Sequence, residues 1–250
     1  MYYYFISNKN NIERRENVAY ECKKIGVEPI FFDAIMGDDL SADEIGQNIN
    51  KDIILGKPEI GCALSHLEII KRFLASQEEV LFVFEDDIGF CNDIAYKDFQ
   101  EIEDFVRHQE KPAALCLYKS SYQFKQVKSL SNCRIYSAFS FTLAHAYVIN
   151  RAAAEIIVEL QTPINFEIDV FQNYYLLKGC QLYSLDKDLV VQKNCIQSTI
   201  GEERARRNRE FKKHKKGVFF ALYKSLSLKE KMLFWGRKIS KEIYRPFRPK

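Results

Sequence analysis

Short apolar runs alternate with helical patterns along most of this chain, and this alternation constrains its fold more than any other feature. The run Tyr2–Ser7 precedes a segment, residues 13–25, whose apolar side chains recur near helical spacing. Pro58 lies just ahead of a second helical pattern, which leads into an apolar run at residues 80–84. Strands that alternate with helices predict an α/β fold, in which a mixed, mostly parallel sheet carries helices on both faces.

The alternation continues as far as residue 192, and an apolar content of 47% allows one or two domains with a substantial core. Helices are predicted at residues 98–108, at 151–160 behind a capping Asn150, and from near Glu167 to a terminating Gly179. Strands are predicted at residues 29–33, 113–118, 145–149, 182–185 and 189–192. The polar residues 119–132 indicate a loop or an irregular hairpin.

Three consecutive carboxylates, Glu85, Asp86 and Asp87, directly follow the run at residues 80–84. Like charges this close repel, so the cluster needs either solvent or a cation to stay ionised. Ligands of open α/β sheets bind at the carboxyl ends of strands, where Asp33 and the residues after Ser7 are also expected. The triplet therefore indicates either a solvated strand end or a Mg²⁺ or Mn²⁺ site that faces a nucleotide.

Three further stretches carry residue types that suit a binding site, although each also has an ordinary structural explanation. Gly61 near a helix start lets a ligand approach the backbone, and Ser65 and His66 follow one turn further on. Alternatively, Gly61 only eases a turn and His66 is an ordinary surface or core histidine. Arg14 and Arg15 follow the first strand and can bind phosphate, or can simply be solvated. Glu167 and Asp169 suit either a general base or a helix start.

Seven cysteines are spread over the chain with no CxxC pair and no clustered histidine. This odd, scattered set argues against a disulfide framework and a structural zinc site, and favours a reducing compartment. The first ten residues turn polar after Ile6, unlike a signal peptide. We therefore expect a cytoplasmic protein.

Charge divides the chain into two parts. Residues 202–250 contain 17 Lys and Arg against 5 Asp and Glu, which leaves 20 against 29 in residues 1–201. Ser227 and Glu230 form a capping-box pattern ahead of a basic helix. Its apolar residues are Leu228, Met232, Trp235, Ile239 and Ile243. Such a helix can lie on an anionic membrane surface or can pack its apolar face on the preceding domain, and nucleic acid is a less favoured partner.

The combination and order of several segments carry a more specific signal. They are FISNKNNIERREN, FFDAIMG, KPEIGCALSHLEII, VFEDD, HAYVINRAAAEII, FEIDVF and VVQKNCIQSTI. Together, over about residues 1–201, they resemble glycosyltransferase family 25, the bacterial lipooligosaccharide galactosyl- and glucosyltransferases. The most specific parts are Gly61-Cys62 with Ser65-His66, and the acidic triplet about twenty residues later.

This resemblance implies a GT-A type, Rossmann-like catalytic domain at residues 1–201, followed by the basic tail at 202–250. It implies inverting, metal-dependent transfer of galactose or glucose from a UDP-sugar to a lipooligosaccharide or lipopolysaccharide glycan, at the inner face of the bacterial inner membrane. Asp87 and Glu85 would bind Mn²⁺ or Mg²⁺, and Asp169, with Glu167 in reserve, would deprotonate the acceptor. The donor side would comprise Ser7, Asn8, Arg14, Arg15, Asp33, Gly37, Gly61, Ser65, His66, Glu85 and Asp86.

Two places depart from the family pattern. His145 stands where small or hydroxyl residues are expected, which leaves a metal or acceptor role open. Residues 192–200, with Gln197, Ser198 and Thr199, match only loosely. Two other classes remain as alternatives: a basic-tailed protein that binds membrane or nucleic acid without catalysis, and a nucleotidyltransferase. The chain shows no Gly-rich, Lys-bearing triphosphate loop that would favour the latter.

Overall fold

A computed structural model describes residues 1–193 and 208–244 and centres on an eight-stranded sheet. The strands occur in the order β2-β1-β3-β8-β5-β9-β7-β6. Their bounds are β1 Tyr2–Ser7, β2 Phe31–Asp33, β3 Val80–Glu85, β5 Ala113–Lys119, β6 Gln123–Ser129, β7 Arg134–Ala138, β8 Ala146–Asn150 and β9 Gln181–Leu185. Six strands run in one direction, since only β8 and β7 are antiparallel to their neighbours on both sides. The predicted mixed, mostly parallel sheet is confirmed.

Eight α-helices accompany the sheet in the described part of the chain. They are α1 Ile12–Ile25, α2 Ala42–Asn48, α3 Lys57–Ala75, α4 Tyr96–Arg107, α5 Arg151–Gln161, α6 Phe171–Lys178, α7 Asn208–Ser225 and α8 Leu228–Tyr244. The side chain of Asn150 caps α5 by accepting from the amide of Ala153, and Gly179 ends α6 in the left-handed conformation. Both termini were predicted from these residues.

Strand side chains alternate between two apolar layers, one on each face of the sheet. In β3, Phe82 and Phe84 pack towards α1 and α4, whereas Leu81 and Val83 pack towards α3 and α5. All four side chains are almost fully buried. Helices on both faces therefore confirm the expected α/β architecture, and they leave the strand ends as the accessible edge.

Two predicted elements differ in detail, and the irregular hairpin, one of the two alternatives for residues 119–132, is confirmed. Helix α6 begins at Phe171 rather than near Glu167, because residues 162–170 form turns in which an Ile164 bridge joins Ile49. Residues 119–132 contribute to an irregular hairpin, β6–β7, with two register shifts. The run at residues 189–192 forms β10 Val190–Gln192, which pairs with β4 Ile88–Phe90 in a separate two-stranded sheet.

The C-terminal helices pack on the α6 side of the domain. Val218, Leu226 and Phe234 are buried in the apolar layer that also contains α3 and α5. Arg237 donates to the carbonyl of Leu176 at 2.9 Å. The predicted apolar residues of α8 instead lie exposed on its other side: Leu228 82%, Met232 77%, Trp235 48%, Ile239 57% and Ile243 59%. The helix thus packs on the domain, but not through the face that sequence periodicity indicated.

Within residues 1–193 and 208–244, no helix is both long enough and apolar enough to span a bilayer. The predicted boundary between residues 201 and 202 lies outside the described residues and stays a prediction, as do Gln197, Ser198 and Thr199.

Candidate active site

The carboxyl ends of β1, β2 and β3 meet at one edge of the sheet. Register aligns Ser7 with Asp33 and Ile6 with Glu85, as the sequence predicted. A pocket of about 380 Å³ opens at this edge. Its lining includes most of the expected donor residues, namely Ser7, Asn8, Arg14, Gly37, Ser65, His66, Glu85 and Asp86, and adds Asn11, Ile35, Met36, Pro58 and Cys62.

Arg14 neutralises the acidic turn after β3. Its Nη1 donates to Asp86 Oδ1 at 2.6 Å and lies 4.0 Å from Asp87 Oδ2. Gln192 donates to the same Asp87 oxygen at 2.9 Å, whereas Asp87 Oδ1 is buried without a hydrogen-bond partner. Burial, together with the charge of Glu85, raises the pKa of Asp87 above its usual value. This carboxylate is therefore poised to gain from a cation.

Glu85 occupies a different electrostatic environment from Asp87. Burial alone would raise its pKa, but the imidazole of His66, 3.7 Å away, with His145 and Arg14, holds the pKa of Glu85 below its usual value. Glu85 therefore stays ionised, which is the state that a metal ligand or a ribose acceptor requires. Two neighbouring carboxylates thus differ in proton affinity because of their different partners.

Gly37 and Gly61 shape the pocket by packing against each other. A Cβ on Gly37 would lie 1.7 Å from the Lys57 carbonyl oxygen, and one on Gly61 would lie 2.3 Å from that of Ile35. Ser65 Oγ accepts from the Ile35 amide at 2.8 Å and donates to the Gly61 carbonyl at 2.7 Å. Gly61 and Ser65 thus hold the loop after β2 against α3. Of the two glycines and Ser65, Gly37 and Ser65 line the pocket and Gly61 lies behind them.

Arg15 and Asp33 pair with each other beside the pocket. The Arg15 guanidinium donates to the Asp33 carboxylate and to the Ser7 carbonyl, and it lies over the ring of Phe31. Neither Arg15 nor Asp33 is among the residues that line the pocket. Their proximity to the strand ends was predicted, whereas their mutual ion pair was not.

The two candidate bases lie outside the pocket lining. Glu167 is buried and contacts Lys215 of α7, with its Oε2 unpartnered. Asp169 is half-buried. Burial raises the pKa of Tyr118, and the charges of Asp169 and Glu85 raise it further. Tyr118 thus lies close enough to both Asp169 and Glu85 to be affected by their charges.

Sequence reasoning missed the environment of His145. Its ring stacks on that of Tyr118 at 4.5 Å between centroids, and burial lowers the pKa of His145, opposed by the charge of Glu85. The Tyr118 hydroxyl donates to the Leu143 carbonyl at 2.8 Å. Leu143 itself has a φ of 75° and is 47% exposed. A non-glycine residue in this conformation often marks a functional loop, a signal that sequence does not carry.

The distribution of cysteines corrects one expectation. Cys62, His66 and Glu85 each offer a ligand atom, and these atoms lie within 4.8 Å of one another. The expectation that no histidine is clustered beside a cysteine was wrong, because Cys62 and His66 are one helical turn apart on α3. None of the six described cysteines forms a disulfide.

A larger cleft of about 910 Å³ lies between α4 and the β6–β7 hairpin. Its acids are already paired, since Glu101 accepts from the Ser131 amide at 2.7 Å and Asp104 lies 3.3 Å from the His108 ring. The smaller pocket, with carboxylates at strand ends and a buried, unpartnered His66 Nε2, is the better candidate for chemistry.

An α/β sheet whose strand ends bring carboxylates, an arginine and a glycine-packed loop around one pocket has the architecture of an α/β enzyme that binds its ligand at the strand ends. The model of glycosyltransferase family 25 (LPS biosynthesis protein) matches residues 1–172. The chain belongs to this family, which makes it a glycosyltransferase associated with lipopolysaccharide biosynthesis.

Two relatives in sequence carry names that agree with this assignment. A Haemophilus influenzae protein named "Putative glycosyltransferase" is 27% identical over 221 residues, covering 81% of this chain and 76% of its own length. A "Glycosyltransferase 25 family member" of Aedes aegypti is 33% identical over 98 residues, only 16% of its length. A solved glycosyltransferase involved in glycosylation of the major capsid of PBCV-1 is 11% identical, with a TM-score of 0.41, over 85% of this chain and 100% of its own.

Proposed function

We propose that this glycosyltransferase moves galactose or glucose from a UDP-sugar to a lipooligosaccharide or lipopolysaccharide glycan, with inversion at the anomeric carbon. The observation that carries the proposal is the convergence of Glu85, Asp86 and Arg14 with the β1 end at one pocket. Backbone and side-chain groups of Ser7 and Asn8 suit ribose and uracil hydrogen bonds, while Arg14 suits a diphosphate oxygen.

The acidic turn suits a divalent cation, Mn²⁺ or Mg²⁺. The supporting observation is the buried, unpartnered Oδ1 of Asp87, whose pKa is raised by burial and by the charge of Glu85. Asp87 and Glu85 would hold the ion, which neutralises charge on the diphosphate leaving group when bound. Asp86 remains paired with Arg14 and fixes the turn.

Asp169 is the proposed base that takes the proton from the attacking acceptor hydroxyl, with Glu167 in reserve. Glu167 is buried and already contacts Lys215 of α7. Asp169 is half-buried, and its charge acts on Tyr118, whose hydroxyl donates to the Leu143 carbonyl. Asp169 is thus the more exposed of the two carboxylates, which supports it over Glu167 as the group that meets the acceptor.

A lipid-linked acceptor would place the enzyme peripherally at the inner face of the bacterial inner membrane. The support is the exposed apolar stripe of α8 (Leu228, Met232, Trp235, Ile239 and Ile243), flanked by the exposed Lys229 and Lys238. An apolar stripe bordered by lysines complements an anionic lipid surface. We propose an anionic lipid surface, rather than nucleic acid, as the partner of α8.

The test is UDP release by the purified full chain with UDP-galactose or UDP-glucose, Mn²⁺ and lipooligosaccharide acceptor. We expect one donor to be hydrolysed or transferred, and Asp87→Ala to reduce the rate at least about 1,000-fold while the unfolding temperature stays near that of the parent. Asp93→Ala, at an exposed acid that pairs with Lys187, is the matched control. Full activity of Asp87→Ala, or turnover of a nucleoside triphosphate instead, would refute the proposal.

A further inference from the structure

We propose that Cys62, His66 and Glu85 form a binding site for a thiophilic divalent cation, with Zn²⁺ as the expected ion, at the floor of the donor pocket. Their ligand atoms lie within 4.8 Å of one another, and His66 Nε2 is 3.7 Å from Glu85 Oε1. This site is distinct from the proposed Mn²⁺ or Mg²⁺ position at Asp87, although both use Glu85. Its existence rests on geometry alone, and only its effect on turnover rests on the proposed transferase function.

The backbone brings the three side chains together before any ion binds. Cys62 and His66 lie one turn apart on α3 and so project from the same face. The packing of Gly61 against the Ile35 carbonyl fixes the start of that helix. Glu85 is the last residue of β3, and its backbone amide donates to the His145 carbonyl at 2.8 Å. Two rigid elements therefore converge, which lowers the cost of forming the site.

Tyr147 orients the histidine. Its hydroxyl lies 2.9 Å from His66 Nδ1, and the two rings stack at 5.6 Å between centroids. When Nδ1–H donates to this oxygen, the Nε2 lone pair faces Glu85. His66 is fully buried and Nε2 has no hydrogen-bond partner. A buried imidazole whose other nitrogen is held by a second residue is the usual arrangement of a metal ligand.

The ligand set selects the ion. One thiolate, one imidazole and one carboxylate match Zn²⁺ and Co²⁺, whereas Mg²⁺ and Mn²⁺ prefer oxygen ligands. Zinc bonds of about 2.0–2.3 Å place tetrahedral ligand atoms roughly 3.5 Å apart, so small side-chain rotations complete the site. Three protein ligands leave a fourth position towards the pocket, which is typical of accessible rather than structural zinc.

Shared use of Glu85 predicts antagonism between the two ions. An ion on Cys62 and His66 draws the Glu85 carboxylate towards α3, away from the acidic turn. Submicromolar to micromolar Zn²⁺ should then inhibit Mn²⁺-dependent transfer, and chelation of zinc should restore it. The inhibition should be relieved in Cys62→Ser, because the thiolate supplies the zinc preference.

The direct test is titration of the full reduced chain with CoCl₂ in an absorption spectrometer, followed by displacement with ZnCl₂. We expect a thiolate-to-cobalt charge-transfer band with visible bands of tetrahedral intensity, both lost in Cys62→Ser. Cys91→Ser, at a partly exposed cysteine outside the pocket, is the matched control and should keep the spectrum. Tyr147→Phe should weaken cobalt binding about 10–100-fold and keep the band, since it removes only the orienting hydroxyl.

Thermal unfolding of each apo variant shows that the fold persists, so loss of the band reports the site. Absence of the band in the parent chain, or its loss in Cys91→Ser but not in Cys62→Ser, would overturn the proposal. Because cobalt absorption needs no turnover, a chain that binds cobalt but transfers no sugar would contradict the proposed function alone. A chain that transfers sugar without the band would contradict the zinc site alone.

Discussion

The donor pocket and helix α8 differ in how their charged and apolar residues are used. At the pocket, every acid of the triplet has a specific neighbour: His66 beside Glu85, Arg14 on Asp86, and Gln192 on Asp87. On α8, the regular apolar stripe is about half exposed or more at every residue. The opposite side, with fewer apolar residues, packs on the domain through Phe234. The acids of the pocket are therefore held by specific side-chain partners, whereas the apolar stripe of α8 stays exposed to solvent.

Arg14→Gln should produce the largest effect, because it breaks the charge balance of the pocket. Arg14 is the pocket cation proposed to contact the diphosphate, and loss of one such donor to developing charge costs about 4 kcal/mol, so kcat/KM for the UDP-sugar should fall about 1,000-fold. Steady-state UDP release measures this. Arg134→Gln, at an exposed arginine 3.9 Å from Asp186, is the control and should retain full activity. A fall of less than tenfold in Arg14→Gln would mean that Arg14 does not balance the triplet during turnover.

Phe234→Ala should have the next largest effect, now on the packed side of α8. Phe234 is 5% exposed and its ring lies 4.8 Å from that of Tyr223. Truncation of a buried phenylalanine costs about 3 kcal/mol in the free energy of unfolding. Met232→Ala, 77% exposed on the other side, should change it by less than about 0.5 kcal/mol. Denaturant titration of both variants checks the pair, and equal losses would contradict the assignment of the two faces.

The same contrast explains how far the sequence could predict the molecule. Ser7, Asp33 and Glu85 could be placed at one edge because parallel strands bring their carboxyl ends together. Helix α8 was predicted by its capping box and spacing, yet its packed face depends on where α6 lies, and no local pattern encodes that. Periodicity identifies an apolar face but not its partner.

Within the site, the limit of prediction is similar. The one-turn spacing of Cys62 and His66 is present in the sequence, although we did not expect the two to form a cluster. That Glu85 joins them depends on how β3 packs beside α3, which the sequence does not show. The contact of Gly37 with Lys57, and the pairing of Gly61 with Ile35, also arise only when distant segments meet. Residue types were therefore predictable, whereas roles that depend on tertiary neighbours were not.

The exposed stripe of α8 predicts a third, smaller effect. Met232→Ser with Ile239→Ser should weaken binding to vesicles that contain anionic lipid about tenfold, since two apolar side chains lose burial in the membrane. Unfolding should change little, because both are more than half exposed. Vesicle co-sedimentation measures the binding, and added salt should weaken the parent as well. Val127→Ser, 41% exposed on β6, is the control; an equal effect there would remove the stripe from consideration.

Glu230 should give the smallest effect, and it depends on pH. Its carboxylate accepts from the Ser227 amide at 2.8 Å and from Lys178 at 3.0 Å, and these contacts lower the pKa of Glu230 to about 2. Since the folded pKa lies below the unfolded value of about 4.3, the contribution is complete above that value and is lost as pH falls towards 2.

For this partly exposed group, Glu230→Gln should cost at most about 1 kcal/mol at neutral pH. The difference between parent and variant should shrink as pH falls from neutral and vanish below about pH 2, where the parent carboxylate is protonated. Denaturant titrations at neutral and acidic pH measure it. Glu110→Gln, at an exposed acid outside the C-terminal helices, serves as the comparison. A difference that persists unchanged to acidic pH would show that α8 is anchored by its apolar contacts alone, with no ionic contribution from Lys178.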